Sequence, residues 1–448
     1  MKEFKKKPII ILKAITFIFL TLLTPINFCS YNNLEINQYH RRNEETILNV
    51  DYIQYPNDLL DVDVKNSYVY KIQEYFNDIF SFYKFENNVL EWQGYIEDPF
   101  KDNRTFGFLH QIEIQDDFMY ILGNTQYNSR LARFYVAEFL ANHSINVLAI
   151  HSFNATDGYQ YTNRYQNLIV NDNYAYIGTT WGKNLEDDSQ ICHTTIIDLD
   201  NKSKPIEISN YTVLGVHSDL VVENNKLFLL IEKQRRYNSS SDSLYYFGEN
   251  QLVVLDILNK SNPVKIQHLN LTSRPCSVAI NNNYLYISYH ESTLEIYDIE
   301  DLENLVLVKS TNIESRKVVF KEDLTYILEN EKLIILDTTN INNFGKIGEK
   351  RLRFKAKKGK FHDCVVEGNH IYGVRKSFDY GSFIIFDCSN KENPKIVYPD
   401  TLASYTRNRI LLIIFGYVIP PVIVVTCSVL LIRLSIHKKL EKKKGNNN

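Results

Sequence analysis

The stretch Ser277–Asp301, SVAINNNYLYISYHESTLEIYDIED, decides the fold because it predicts three short strands in succession. The first covers Ser277–Asn281 and the second Tyr284–Tyr289. Two asparagines separate them, and Asn tolerates the positive φ that a two-residue hairpin turn requires. Leu294–Asp298 is the predicted third strand, and the apolar run Leu305–Val308 is the fourth. The stretch therefore predicts an antiparallel meander of four strands.

The first two strands of this unit recur seven times without a gap. The copies start at Leu60, His110, Gln166, Ser218, Cys276, Arg316 and His362. One position of the second strand is aromatic in every copy: Tyr70, Tyr120, Tyr176, Phe228, Tyr286, Tyr326 and Tyr372. A period of about 40 to 60 residues is typical of propeller blades, and seven blades can close a ring. We predict an all-β fold, a seven-bladed β-propeller of four-stranded antiparallel blades over residues 59–400.

The third strand also repeats, and in five copies an aspartate ends its apolar run. These residues are Asp198, Asp256, Asp298, Asp337 and Asp387. The strings LVVLD and LIILD, followed by N-K-x-x-P or N-P, resemble the LVIVD-repeat β-propellers. The resemblance implies the fold and names no reaction. We interpret the five aspartates as structural caps of the following turn, and the first two blades lack them.

Both ends of the chain predict attachment to a membrane. Residues 1–30 combine a basic start with an apolar run, as in a secretory signal segment or an N-terminal anchor helix. A polar linker, residues 31–58, precedes the propeller, and residues 401–409 form a juxtamembrane linker. Residues 410–432 carry no charge and are long enough for a transmembrane helix. The basic residues in 433–448 place the tail in the cytoplasm, so we expect a single-pass cell-membrane protein with an extracytoplasmic propeller.

Charge and motifs narrow the classes of function. Residues 31–409 contain 39 Lys and Arg against 51 Asp and Glu, and this acidic body argues against a nucleic-acid partner. It is compatible with cations or polar ligands. The sequence has no nucleophile elbow, no phosphate-binding glycine loop, no HExxH motif and no paired CxxC.

Sequons and cysteines fit an extracellular protein. Eight Asn-x-Ser/Thr sequons predict a glycoprotein: Asn103, Asn142, Asn154, Asn201, Asn210, Asn238, Asn259 and Asn270. None follows Thr272, which leaves one sector of the ring without sequons. The propeller cysteines, Cys192, Cys276, Cys364 and Cys388, are compatible with disulfides or with buried thiols.

A polar residue precedes the leading apolar residue of every first strand. These channel-mouth candidates are Asp61, Gln111, Asn167, Asp219, Ser277, Lys317 and Asp363, and His362 adjoins the last. Because first strands line the central channel of a propeller, we expect them to ring one mouth of it. A water-filled mouth requires polar residues whatever the function. Alternatively, the three aspartates supply oxygen ligands for Ca²⁺ or hold a small polar ligand, and no other cofactor is evident.

Three hypotheses of function follow. The first is a cell-surface module for ligand binding, adhesion or protein interaction, with a protein or small polar ligand at a face of the propeller. The second is an extracytoplasmic hydrolase or lyase, with Asp61, Asp219, His362 and Asp363 as acid and base groups at the channel mouth. The third is a scaffold subunit of a membrane complex, which predicts an apolar patch on one face of the ring.

Overall fold

The structure, a computed structural model, contains seven four-stranded antiparallel sheets, which confirms the all-β propeller. It describes residues 59–73, 79–96, 107–125, 131–140, 145–154, 160–182, 190–238, 243–290, 293–352, 360–376 and 381–398, with single positions at 428, 432 and 435. Within these residues, no helix is long and apolar enough to span a membrane. The predicted segment 1–30 lies outside them, as does 410–432 except for Ser428 and Ile432.

Each blade takes its four strands from one contiguous stretch of chain. Blade 1 contains β1 (Leu59–Lys65), β2 (Tyr68–Gln73), β3 (Ile79–Glu86) and β4 (Val89–Ile96). Blade 2 contains β5 (Gly107–Gln115), β6 (Phe118–Thr125), β7 (Leu131–Phe139) and β8 (Ile145–Asn154). Blade 3 contains β9 (Gln160–Asn171), β10 (Tyr174–Gly182), β11 (Gln190–Asp198) and β12 (Ile206–Leu214).

Blade 4 contains β13 (Val216–Glu223), β14 (Lys226–Glu232), β17 (Gln251–Asp256) and β18 (Val264–Asn270), with an inserted hairpin of β15 (Gln234–Asn238) and β16 (Ser243–Phe247). Blade 5 contains β19 (Pro275–Asn281), β20 (Tyr284–Tyr289), β21 (Leu294–Asp298) and β22 (Val306–Thr311). Blade 6 contains β23 (Lys317–Lys321), β24 (Leu324–Leu328), β25 (Lys332–Asp337) and β26 (Gly345–Arg351), with a 3-10 turn at Ile341–Asn343. Blade 7 contains β27 (Lys360–Glu367), β28 (His370–Lys376), β29 (Gly381–Asp387) and β30 (Lys395–Tyr398).

Among the strands that the structure describes, the ring closes by packing, and none is exchanged between blades 7 and 1. The first strand of every blade contacts the first strand of the next, and β27 of blade 7 contacts β1 of blade 1. At this seam, Val62 and Phe85 pack with Tyr372 and Val374 in one hydrophobic cluster. Blade 7 is complete because β30 is its own fourth strand.

The hydrophobic core lies in the seams between blades. All seven repeated aromatic residues are at most 2% exposed. An apolar residue of the next first strand packs on each seam: Leu220 clusters with Tyr176, and Val278 with Phe228. Burial of these side chains supplies the main favourable free energy that holds neighbouring blades together.

The turns between first and second strands lie on one face of the ring, which we call the lower face. The local sequence determines their geometry. The first turn residue of every β-hairpin between first and second strands has positive φ: Asn66, Asp116, Asp172, Asn224, Asn282, Glu322 and Gly368. In every blade the pairing of the third and fourth strands shifts by one residue. Such bulges increase the local twist of a sheet, which suits a propeller blade. First strands begin, and fourth strands end, at the opposite, upper face.

Candidate functional site

The channel-mouth candidates turn towards the neighbouring blade rather than only towards the channel axis. Three of them accept a hydrogen bond from a backbone N–H of the next first strand: Asp61 Oδ2 from Ile112 at 2.7 Å, Gln111 Oε1 from Leu168 at 2.6 Å and Asp219 Oδ2 from Val278 at 3.0 Å. An innermost strand has one edge without a partner strand, so its N–H groups on that side need another acceptor. These side chains therefore link the blades around the channel.

An ammonium group bridges two of the three aspartates. Lys317 Nζ lies 3.4 Å from Asp363 Oδ1 and 3.7 Å from Asp219 Oδ2. Asp363 Oδ1 and Asp219 Oδ2 are therefore separated by no more than the sum of their two distances to Lys317 Nζ. Burial lowers the pKa of Lys317, but Asp219 and Asp363 outweigh it and raise the pKa above its ordinary value. Within the described residues, no group of three His, Cys, Asp or Glu side chains is arranged to hold a metal ion.

A carboxyl pair joins the last blade to the first. Asp61 and Asp363 share a side-chain hydrogen bond. Burial, followed by the charge of Asp363, raises the pKa of Asp61 well above its ordinary value. Burial also opposes ionisation of Asp363, yet Lys317 and the hydrogen bond from Asp61 lower the pKa of Asp363. The pair therefore carries its proton on Asp61, which donates to the carboxylate of Asp363.

Two more acidic residues lie one step deeper in the channel. Asp63 Oδ2 accepts a hydrogen bond from the Ile114 N–H at 2.6 Å, and Oδ1 accepts one from Val64 at 2.7 Å. Burial raises the pKa of Asp63 to about 7. Burial, then Asp63 and Asp363, raises the pKa of Glu113 well above its ordinary value. The sequence contained the signal for both, because they follow Asp61 and Gln111 by two residues and strands repeat every two residues.

We expect the channel to make the propeller less stable as pH rises. The raised pKa of Glu113 means that the folded state keeps a proton that the unfolded state releases above about 4.5. The unfolded state then binds fewer protons, so stability falls as pH rises through this window. Thermal melting of the wild type and of Glu113→Gln at pH 5 and pH 8 tests this. The variant should lose less stability between the two pH values, and an equal loss in both proteins would contradict the prediction.

The other candidates have different surroundings. Asn167 Nδ2 donates to Asp219 Oδ1 at 3.2 Å, and Asn167 Oδ1 lies 3.2 Å from His217 Nδ1. Ser277 is buried, and its hydroxyl has no hydrogen-bond partner within the described residues. His362 is exposed. Sequence analysis missed the fully buried His217, whose pKa burial lowers to about 3.

The five repeat aspartates each accept a hydrogen bond from the backbone N–H two residues later. The N–H of Asp200 donates to Asp198 and that of Leu258 to Asp256, both at 2.8 Å. The N–H of Glu300 donates to Asp298 and that of Ser389 to Asp387, both at 2.9 Å. The N–H of Thr339 donates to Asp337 at 3.0 Å. This is the geometry of an Asx-turn, in which the side chain fixes the start of the turn. These residues lie on the lower face, away from the channel mouth.

Cysteines and sequons occupy ordinary positions for their types. Cys192, Cys276, Cys364 and Cys388 are free thiols, and three of them are buried. Four sequon asparagines have exposed side chains: Asn201, Asn210, Asn259 and Asn270. The side chains of the other four lie outside the described part of the chain.

Comparison with known proteins identifies the repeat. The LVIVD repeat model matches residues 190–213, 245–270 and 274–313, and no curated protein matches. Among solved structures, the computationally designed Ika8 protein is 7% identical to this chain, with a TM-score of 0.44. The match covers 74% of this chain and 97% of the Ika8 chain. The protein in the crystal structure of "a putative 6-phosphogluconolactonase from Bacteroides uniformis ATCC 8492" is 11% identical to this chain, with a TM-score of 0.46. That match covers 65% of this chain and 85% of the other. The matched segments contribute strands to blades 3, 4 and 5, so the chain contains LVIVD repeats and folds as a seven-bladed β-propeller.

Proposed function

We propose that the chain is a membrane-anchored propeller that acts as a protein-interaction module at the cell surface. The observation that carries the proposal is the bridge Asp219–Lys317–Asp363. Asp219, Lys317 and Asp363, which could serve a ligand or a reaction in the channel, are bonded to one another or to the next blade. A hydrolase or lyase would need some of these acids free to exchange protons with substrate. The outer faces of the ring are therefore the better candidates for binding.

The positions of the chain ends support a definite orientation. The first strand of a blade begins at the upper face and the fourth strand ends there, so the chain enters at Leu59 and leaves at Tyr398 on the same face. Residues 399–409 extend over about 40 Å at most. With residues 410–432 in the membrane, the upper face is held towards the bilayer. The lower face then points outward, where a partner on another surface can reach it.

The placement of the sequons indicates which sector of that face is open to a protein partner. The eight sequons lie in blades 2 to 4 and in the connection before blade 2, whereas blades 1, 5, 6 and 7 contain none. Glycans are bulky and keep a surface solvated. The sector from blade 5 through blade 7 to blade 1 would remain accessible to a protein partner.

Protease treatment of intact cells tests the orientation. We expect protease added outside to cut the chain near the propeller, within residues 31–58 or 399–409, and to leave the tail, which contains Lys438–Lys444, undigested. The reason is the basic flank after residue 432, which favours the cytoplasmic side. An antibody tag on each end reports the fragments, and permeabilised cells supply the control. Digestion of the tail tag in intact cells would reverse the assignment.

A scaffold subunit is a second candidate, favoured by a strip of exposed apolar side chains. Ile206, Val264 and Val306 begin the fourth strands of blades 3, 4 and 5 and are 51%, 52% and 51% exposed. Leu258, 74% exposed, adjoins the sequon at Asn259. A glycan there would cover Leu258 in blade 4, so mass spectrometry of Asn259 tests the second candidate: occupancy argues against a scaffold contact at blade 4.

A further inference from the structure

Blade 4 carries a pair of strands that belongs to none of the seven blade sheets. Residues 233–250 join the second and third strands of this blade, and these 18 residues compare with at most seven in the same connection of the other blades. The insertion contains the β-hairpin of β15 and β16. Second strands end at the upper face, so the hairpin departs from that face. Within the described residues, no other strand pairs with β15 or β16.

The base of this hairpin is fixed to the ring. The Lys233 N–H donates to Asn250 Oδ1 at 3.0 Å, and the Leu271 N–H donates to the Asn250 carbonyl oxygen at 2.8 Å. Asn250 is buried and thus ties both ends of the insertion to the end of the outermost strand of blade 4. Gly248 has a φ of 68°, and a Cβ atom there would lie 3.1 Å from the Leu214 carbonyl oxygen. The base is therefore held on blade 4, while the two strands have only each other.

The two edges of the hairpin differ in sequence. β15 carries Arg235 and Arg236 and ends at the sequon asparagine Asn238. β16 reads Ser-Leu-Tyr-Tyr-Phe and contains no charge, no proline and no glycine. Aromatic residues favour strands, and proteins commonly protect a free edge with charges or proline. The outermost strands of six blades each carry a Lys or Glu, and the seventh, β8, ends at the sequon of Asn154. The edge of β16 has none of these protections.

We propose that β16 pairs with β16 of a second copy of this chain, so that two hairpins form one four-stranded sheet. An isolated two-stranded hairpin is marginally stable in water, and added strands give its backbone groups partners. Tyr245 is the middle residue of β16. In-register parallel pairing and antiparallel pairing centred on this residue both place it opposite the partner's Tyr245, and such an aromatic pair stabilises a sheet. The same pairing of β15 would place Arg236 opposite itself, and like charges in that position destabilise a sheet.

The membrane anchor proposed above favours a second copy as the partner. The hairpin and the end of β30 at Tyr398 both lie at the upper face, which residues 399–409 connect to the apolar segment 410–432. Anchored copies therefore hold their hairpins at one height above the bilayer, and confinement to the membrane raises their effective concentration. Two identical edges related by a twofold axis also form a closed pair. Only this step rests on the proposed anchor, whereas the unprotected edge of β16 does not depend on it.

The molar mass of the purified full-length protein in detergent tests the pairing. Size-exclusion chromatography with light scattering, corrected for bound detergent, should give a protein mass of two chains for the wild type. Tyr245→Glu and Tyr245→Lys should each give one chain at the same concentration, because equal charges then face each other across the copies. An equimolar mixture of the two variants should recover the dimer, since opposite charges then meet. Tyr237→Lys adds the same charge to β15 and is the matched control, which should remain dimeric.

Tyr245→Glu separates loss of pairing from loss of the hairpin. Tyr245 pairs with Arg236 within the hairpin, so a carboxylate suits the hairpin while it opposes pairing between copies. A wild type that gives one chain, Tyr245 variants that remain dimeric, a mixture that stays monomeric or a Tyr237 variant that loses the dimer would each overturn the proposal. The protease experiment is independent: a monomeric wild type with a protected tail refutes the pairing alone, and a dimer with a digested tail refutes the membrane orientation alone.

Discussion

Replacement of Lys317 by methionine is expected to lower the free energy of unfolding by about 3–5 kcal/mol. The Lys317 side chain is 23% exposed, and its partners Asp219 and Asp363 are 9% and 17% exposed. Removal of the ammonium that lies between them leaves two largely buried carboxylates with uncompensated charge. Breaking such a buried ion pair costs more than the pair contributes, because the remaining charge has been removed from water.

Chemical denaturation of the full-length protein measures this effect. Lys265→Met is the matched control, since Lys265 is exposed on the outermost strand of blade 4, and its change should stay within about 0.5 kcal/mol. Adding Asp219→Asn and Asp363→Asn to Lys317→Met should recover part of the loss, because the buried negative charges disappear with the positive one. A loss in the Lys317 variant no larger than in the Lys265 control would show that the bridge does not hold the blades together.

Gly348→Ala is expected to destabilise the propeller by about 3 kcal/mol through overpacking. Gly348 lies on β26, the outermost strand of blade 6, against the turn of blade 7. A Cβ atom there would lie 2.1 Å from the Lys391 carbonyl oxygen and 3.0 Å from the Glu392 carbonyl oxygen. Both atoms belong to the backbone, so rotation of a side chain cannot relieve the contact. The blades must instead move apart, with loss of packing at the seam.

The same strand offers the control. A Cβ at Gly345 would meet nothing within 4 Å, so Gly345→Ala should change stability by less than about 0.5 kcal/mol. Thermal melting of both variants beside the wild type gives the comparison. Similar melting temperatures for the two alanine variants would mean that the seam between blades 6 and 7 accommodates an extra methyl group.

Local patterns were sufficient to predict the strands. The second and third strands of blade 5 have the predicted bounds, Tyr284–Tyr289 and Leu294–Asp298, because alternation and turn residues act over only a few positions. The positive φ of Asn282 likewise follows from the residue type at a two-residue turn. These features depend on neighbours in the sequence and not on the rest of the ring.

The surroundings of the channel residues could not be predicted in the same way. Equal positions in a repeat suggested side chains that face a common axis, whereas Asp61 and Asp219 accept hydrogen bonds from the next blade. This direction depends on how closely neighbouring innermost strands approach, which the sequence of one blade does not contain. Blade 1 did leave a signal in the sequence: Lys84 stands where later blades have the repeat aspartate, and this departure marks a blade whose lower face differs.

Assembly of each blade from contiguous chain has a consequence for synthesis on the ribosome. Blades can form one after another as the chain emerges, because no blade waits for a strand from the other end. The seam between blades 7 and 1 is different, since Tyr372 and Val374 reach Val62 only after nearly the whole propeller has been made. At roughly 5–20 residues per second, the apolar side of blade 1 stays uncovered for about 15 to 60 seconds, a window in which chaperones or a second nascent chain can engage it.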